Sequence, residues 1–239
     1  MKHIYGPIKS RRLGLSLGIT LTPYKVCSFN CVYCQLGKSA AKTVQRREYI
    51  PESEVMDELK LWLQNNVREA KSLDCITFSG SGEPTLNIKI GQLIAQIKKI
   101  TAVPVVVITN ASLIGITALR HELLAADLII PSLDAVTPEI FARVDRPHED
   151  VKIDDIINGL IALRKEFKGK IWLEVMLVKG INDDLDHIRK LKDVIARINP
   201  DKIQLNSPVR STAEEEILAV DKNRLDKFKE ILGDKCEIV

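Results

Sequence analysis

Cys27-Ser28-Phe29-Asn30-Cys31-Val32-Tyr33-Cys34 is the stretch on which the reading of this chain turns. Just before it, Leu15, Leu17, Ile19 and Leu21 alternate with Ser16, Gly18, Thr20 and Thr22. That period of two is a strand, which Pro23 ends. The cysteines therefore sit on a loop at the end of a strand. Three thiolates on a short loop can ligate three irons of a cubane cluster. Clusters held entirely by protein normally take four cysteines, so one iron would stay open to a small molecule. A structural zinc site and a disulfide are the rival readings. Zinc normally closes its tetrahedron with four ligands, and no histidine or fourth cysteine lies nearby.

The 239 residues can bury a large core, and 45% hydrophobic with 28% charged is ordinary for a globular protein. A net charge of +3 is too weak to argue for nucleic acid by itself. The N-terminus lacks a signal-peptide core, and no apolar run approaches the ~18 residues of a membrane helix. A cytoplasmic protein with no membrane partner is expected. Five cysteines in such a chain favour metal or catalysis over disulfides. Cys75 and Cys236, remote from the loop, read as packing residues.

Outward from the loop, residues 1–14 read as a short strand or arm carrying Ser10-Arg11-Arg12. Pro51 can open a helix whose stripe is Val55, Leu59, Trp62 and Val67, to about residue 70. Further strands follow at 74–79, 105–108, 128–130, 170–178 and 202–205. Helices are expected from about Asn87, over 117–125, from Ile153 to Phe167, through Leu185–Ile198 and over 213–232. Residues 136–150 read as polar and irregular. Residues 236–239 suit a terminal strand. Six strands alternating with helices, without a composition break, argue one α/β domain over 1–239, its C-terminal helix and tail at about 211–239. Right-handed crossovers would curl these units into a partial (βα)6 TIM-like barrel. An open doubly wound sheet fits the same string, but the strand ends favour the barrel, whose sites lie at the C-terminal ends of its strands. In order those ends carry the cysteine loop, Gly80-Ser81-Gly82-Glu83, Thr109-Asn110, Ser132-Leu133-Asp134, Lys179-Gly180-Ile181-Asn182 and Asn206-Ser207-Pro208-Val209-Arg210.

With these motifs the sequence resembles the radical S-adenosylmethionine superfamily, including the aromatic Tyr33 before the last cysteine. The resemblance implies a [4Fe–4S] cluster on Cys27, Cys31 and Cys34 whose open iron chelates S-adenosylmethionine. One electron, from a flavodoxin- or ferredoxin-type donor, would cleave it to methionine and a 5′-deoxyadenosyl radical that abstracts hydrogen from the substrate. Gly80, Ser81, Gly82 and Glu83 occupy the place of that family's Gly-Gly-Glu stretch, with Glu83 available for the ligand's ammonium. Ser132 and Asp134 look like its ribose-contacting position. Tyr33, Asn110 and Lys179 join the expected cofactor contacts. Glu174, amid apolar residues of the fifth strand, shares a face with Trp172 and Met176. If that face lines the barrel, the carboxylate needs a hydroxyl, lysine or arginine partner. Glu174 and Arg210 are the expected catalytic residues.

Ser10-Arg11-Arg12-Leu13-Gly14, Gly82-Glu83-Pro84-Thr85 and Ser132-Leu133-Asp134-Ala135 resemble the branch of wyosine-base synthesis enzymes, which modify a guanine in tRNA. Those enzymes carry extra upstream cysteines, whereas Cys27 is the first here, so a single cluster is expected. Arg11, Arg12, Lys25, Lys38, Lys42, Arg46 and Arg47 would suit an RNA backbone. A protein substrate, as for glycyl-radical activating enzymes, is the rival, although their Gly-Pro-Gly signature is missing. A small substrate would need residues 136–150 or the last helix to close the barrel mouth. The non-enzymatic alternative is an iron–sulfur or zinc-binding module.

Overall fold

In a computed structural model that describes residues 1–38, 42–209, 212–214 and 216–239, one sheet carries the chain. Its strands are β1 (Ile4–Ser10), β2 (Gly14–Ile19), β3 (Cys75–Phe78), β4 (Val105–Thr109), β5 (Leu128–Pro131), β6 (Lys170–Met176), β7 (Lys202–Asn206) and β8 (Cys236–Ile238). They lie side by side in sequence order. From β2 to β8 every pairing is parallel. The arm expected at the N-terminus is β1, which folds back antiparallel on β2. The strand suggested at residues 236–239 is β8, so one further strand flanks the expected six at each edge. The result is a single-domain, open α/β barrel.

Parallel strands need crossovers, and helices supply them. They are α1 (Glu52–Asn65), α2 (Val67–Ser72), α3 (Ile90–Ile100), α4 (Thr117–Leu123), α5 (Pro138–Val144), α6 (Ile153–Glu166), α7 (Leu185–Ile198) and α8 (Lys222–Leu232). The stripe Ile90, Leu93, Ile94 and Ile97 of α3 is fully buried, as its period demands. Each such side chain contributes about 1.5–3 kcal/mol by leaving water. Strand residues alternate between this outer core and the lumen. Ile76, Phe78, Val105, Val107 and Leu173 face the helices. Cys75, Val106, Leu128 and Ile130 pack inside the barrel with Trp172. Cys75 and Cys236 are both buried packing residues.

Three expectations about elements need correction. The helix expected from 51 to 70 breaks at Asn66, whose backbone N–H and side-chain amide both donate to the Trp62 carbonyl. Residues 136–150 are not irregular throughout, since Pro138 opens α5 at its first position and the helix runs to Val144. The face of α5 decides its place: Phe141 and Val144 are buried, and Phe141 meets Phe29 edge to face at 5.4 Å. It buttresses the cysteine loop from below. The last helix is confined to α8, begun by the Asp221 carboxylate accepting from Arg224 N–H. The described residues of 212–220 are not helical.

The loop after β3 meets the cysteine loop backbone to backbone. Glu83 N–H donates to the Val26 carbonyl at 3.1 Å, and Lys25 N–H to the Ser81 carbonyl at 2.5 Å. A Cβ on Gly82 would stand 2.0 Å from Val26 O and 2.7 Å from Thr22 Oγ1. Only glycine permits this approach. Gly82→Ala should therefore cost about 1–3 kcal/mol of stability by forcing the loops apart. A lowered urea midpoint relative to wild type checks this, with Ser81→Ala expected to stay near wild type.

Candidate active site at the strand ends

At the C-terminal end of the barrel lies a cavity of about 350 Å3. Cys27, Cys31 and Cys34 all line it, with Lys25, Gly80, Gly82, Glu174, Met176, Asn206 and Arg11. The loop is pinned from two sides. Asn30 N–H and Val32 N–H donate to the carbonyls of Asp145 and Val144 at the end of α5, both at 3.0 Å. Thr43 N–H donates to the Cys27 carbonyl at 3.0 Å. Each sulfur already has a polar neighbour. Lys25 Nζ donates to Cys34 Sγ at 2.8 Å, Asn110 Nδ2 to Cys27 Sγ at 3.4 Å, and Cys31 Sγ–H to Asp145 Oδ1 at 3.4 Å.

Burial pushes the Cys27 thiol up to about 11, with the Glu83 carboxylate adding to it. Burial raises Cys31 well above the ordinary thiol range, helped by Asp145. Both therefore hold protons at neutral pH, and metal binding must release them. Among the described residues, no three His, Cys, Asp or Glu side chains could jointly hold a single metal ion. Zinc gathers its thiolates about 2.3 Å from one ion, whereas on a cubane each cysteine reaches a different iron. Three thiols distributed over one cavity wall fit a cluster.

Gly80 and Gly82 line the cavity, with Gly80 in the left-handed region at φ +98°. Ser81 contributes its backbone to the loop contact. Glu83 lies behind the wall, 2% exposed. Its Oε1 accepts from Thr85 N–H at 3.0 Å, Thr85 Oγ1 at 2.6 Å and Thr109 Oγ1 at 2.7 Å. Oε2 accepts from Asn110 N–H at 2.7 Å and keeps capacity for a further donor. Burial raises its carboxyl, and the threonine and Asn110 hydrogen bonds pull it back.

Asn110, Ser132 and Asp134 do not line the main cavity. They surround a space of about 10 Å3 beneath Tyr33, too small for a ribose. The Tyr33 hydroxyl donates to Asp134 Oδ2, and Met176 N–H donates to Asp134 Oδ1 at 2.8 Å. Asp145, absent from the sequence expectations, completes this buried group. Burial drives both carboxyls up, Asp134 to about 7 and Asp145 well above its ordinary range. Its signal was hidden because polar residues of 136–150 read as loop.

Glu174 does face the lumen, and its partner is Arg12, whose Nη1 lies 2.8 Å from Glu174 Oε2. The same guanidinium donates to Gln204 Oε1 at 3.4 Å. Lys179 is exposed and off the cavity, its backbone N–H held by the Leu218 carbonyl. Arg210 lies outside the described residues. Of the basic residues expected to suit an RNA backbone, Arg12, Lys25, Lys38, Lys42, Arg46 and Arg47 have protein partners. Arg46 clamps Glu122 with two nitrogens, Arg47 lies 4.5 Å above the Tyr49 ring, and Lys42 Nζ donates to the Arg146 and Pro147 carbonyls. Lys38 sits 3.9 Å from Glu214. A larger hollow of about 520 Å3 lies outside the barrel between α4 and α6. Its arginine, Arg120, is consumed by Glu166 and the Ile114 and Gly115 carbonyls.

Comparison with known proteins agrees with this arrangement. A Brachyspira hyodysenteriae protein named GTPase Obg is 43% identical over 237 residues, which are 99% of this chain but 34% of that protein. The chain thus spans about a third of that relative's length. A UPF0026 protein of Methanocaldococcus jannaschii is 36% identical over 239 residues, covering 98% of this chain and 73% of that one. A solved structure of TYW1 with a lysine-pyruvate adduct bound matches the fold with a TM-score of 0.67, over 91% of this chain and 72% of that chain, at 19% identity. The family profile of the radical SAM superfamily matches residues 21–191, from the end of the first barrel strand through the cysteine loop and into α7. The chain belongs to the radical SAM superfamily, whose enzymes use S-adenosylmethionine and an iron–sulfur cluster.

Proposed function

We propose that Cys27, Cys31 and Cys34 hold a [4Fe–4S] cluster with one open iron, and that the chain is a single-cluster hydrogen-abstracting enzyme. The observation that carries this reading is the placement of all three thiols on the wall of one cavity at the strand ends. When bound, the cluster supplies the electron, delivered by a flavodoxin- or ferredoxin-type donor, that cleaves S-adenosylmethionine to a 5′-deoxyadenosyl radical.

The chain's own residues hold and orient these partners. Lys25 presents its ammonium to the Cys34 sulfur and offsets thiolate charge there. Asn110 ties the Cys27 sulfur to the Glu83 carboxylate through its side chain and its backbone N–H. Glu83 Oε2, with one donor filled, accepts the ligand's ammonium. Gly80 and Gly82 let the ligand approach the backbone. Tyr33, with Asp134, Ser132 and Asp145 beneath it, sets the height of the loop, so these residues act on the ligand by positioning. Arg12 and Glu174 close the lumen under the cavity. Residues 136–150 support the loop through α5.

A tRNA substrate finds little support in the side chains. Tracking a phosphate backbone needs several free cations, and Arg12, Lys25, Arg46, Arg47 and Lys42 are committed to protein groups. Purified protein should carry no nucleic acid, and RNA retained on it in low salt should be weak and non-saturating. Stoichiometric tRNA with a steep salt dependence of retention would reverse this.

Anaerobic reconstitution with iron and sulfide, followed by dithionite and S-adenosylmethionine, should yield 5′-deoxyadenosine measured by chromatography. Cys31→Ala should abolish both that product and the visible absorbance of the cluster. Undiminished 5′-deoxyadenosine from Cys31→Ala, or none from the wild type, would sink the reading.

A further inference from the structure

Arg11 and Arg12 stand side by side on the β1–β2 turn, yet their guanidiniums have different fates. The turn is held by Ser10 Oγ, which accepts from Arg12 N–H and Leu13 N–H, both at 3.2 Å. Arg12 is engaged below the cavity, its Nη1 facing Glu174 and Gln204. Arg11 lines the cavity alongside the three thiols, and among the described residues no protein group pairs with it. The other cation of the wall, Lys25, is taken by Cys34, and the wall's carboxylate, Glu174, is taken by Arg12. Arg11 is therefore the uncommitted charge of the described cavity wall.

A second free donor stands on the same wall. Asn206 lies two residues beyond Gln204, on the same face of β7. Its Oδ1 accepts from Ser207 N–H at 2.9 Å, while among the described residues no acceptor meets its amide nitrogen. A guanidinium and an amide N–H that line one cavity without a protein acceptor are two donors available to an oxyanion. We propose that Arg11, assisted by Asn206, recognises a single carboxylate or phosphate group of the substrate, and so fixes which C–H faces the radical. The substrate class is a molecule carrying one such oxyanion near the reacting carbon. This inference rests on the cluster reading above, in which the carboxylate of S-adenosylmethionine is occupied by the open iron. One free cation suits one anionic group, and not a polyphosphate chain.

The test uses reconstituted holoenzyme saturated with S-adenosylmethionine, in the absence of oxygen. Malonate and inorganic phosphate are titrated by calorimetry, and the affinity for S-adenosylmethionine is measured on the same samples. Wild type should bind at least one of the two anions, and the tighter one identifies carboxylate or phosphate as the natural group. Arg11→Ala should weaken that anion about tenfold or more, as loss of a charge-assisted hydrogen bond does, with the affinity for S-adenosylmethionine unchanged. Arg11→Lys should recover phosphate binding better than malonate binding, because an ammonium is a point charge without the planar fork. Arg11→Gln serves in place of Arg11→Ala if that variant does not fold. Wild type that binds neither anion overturns the inference, as does Arg11→Ala that binds both like wild type. Loss of S-adenosylmethionine together with the anion also overturns it, and assigns Arg11 to the cofactor. Formation of 5′-deoxyadenosine by the same wild-type sample separates any of these failures from failure of the cluster reading.

Discussion

The top of the barrel depends on one buried carboxylate. Glu83 gathers donors from Thr85, Thr109 and the Asn110 backbone. These come from the turn after β3 and the end of β4, and Asn110 passes the connection on to Cys27 and Ser28. A charge in this environment is tolerated only with its lone pairs filled. The network therefore fixes the relative height of two strand ends and the cysteine loop. The contact of Gly82 with Val26 is the steric half of the same constraint.

Opposite charges are sorted by depth in the lumen. At the lower level Arg12 neutralises Glu174 and ties β1–β2 to β6 and β7 across the open side of the barrel. That contact joins elements separated in sequence by more than half the chain, and it stands between the apolar cluster around Trp172 and the cavity at the strand ends. At the upper level the sulfurs draw Lys25 and Asn110 toward themselves. Lys38, Lys42, Arg46 and Arg47 meet glutamates, carbonyls or an aromatic ring. Their clustering in sequence therefore does not translate into a continuous free basic face.

Beneath the loop, Tyr33, Asp134, Asp145 and Cys31 form a second buried polar group. Burial disfavours charge on both carboxyls, and the Asp134 carboxylate adds to it at Asp145, so their pKa values rise together. Asp145 reaches this place because α5 ends there, and α5 is held by Phe141 against Phe29 of the cysteine loop. The helix and the loop thus order one another.

Local pattern in the sequence was enough for much of the fold. Alternation in residues 15–22, β-branched runs such as Val105-Val106-Val107-Ile108, and the stripes of α3, α6 and α7 report burial on one face, a property each segment carries by itself. The three-thiol loop was legible for a similar reason: its spacing is local chemistry. The arginine partner of Glu174 was legible only as a class, because Arg12 and Glu174 are brought together by the closing of the sheet. That same closing decided that Lys179 lies off the cavity, that Ser132 and Asp134 lie under Tyr33, and that Arg11 lines the cavity wall with no partner among the described residues. The sequence by itself determined an alternating α/β chain with a three-thiol loop after its first barrel strand. Which side chains share the space above those thiols was left to tertiary structure, because lumen neighbours come from different strands and no single segment records their distance.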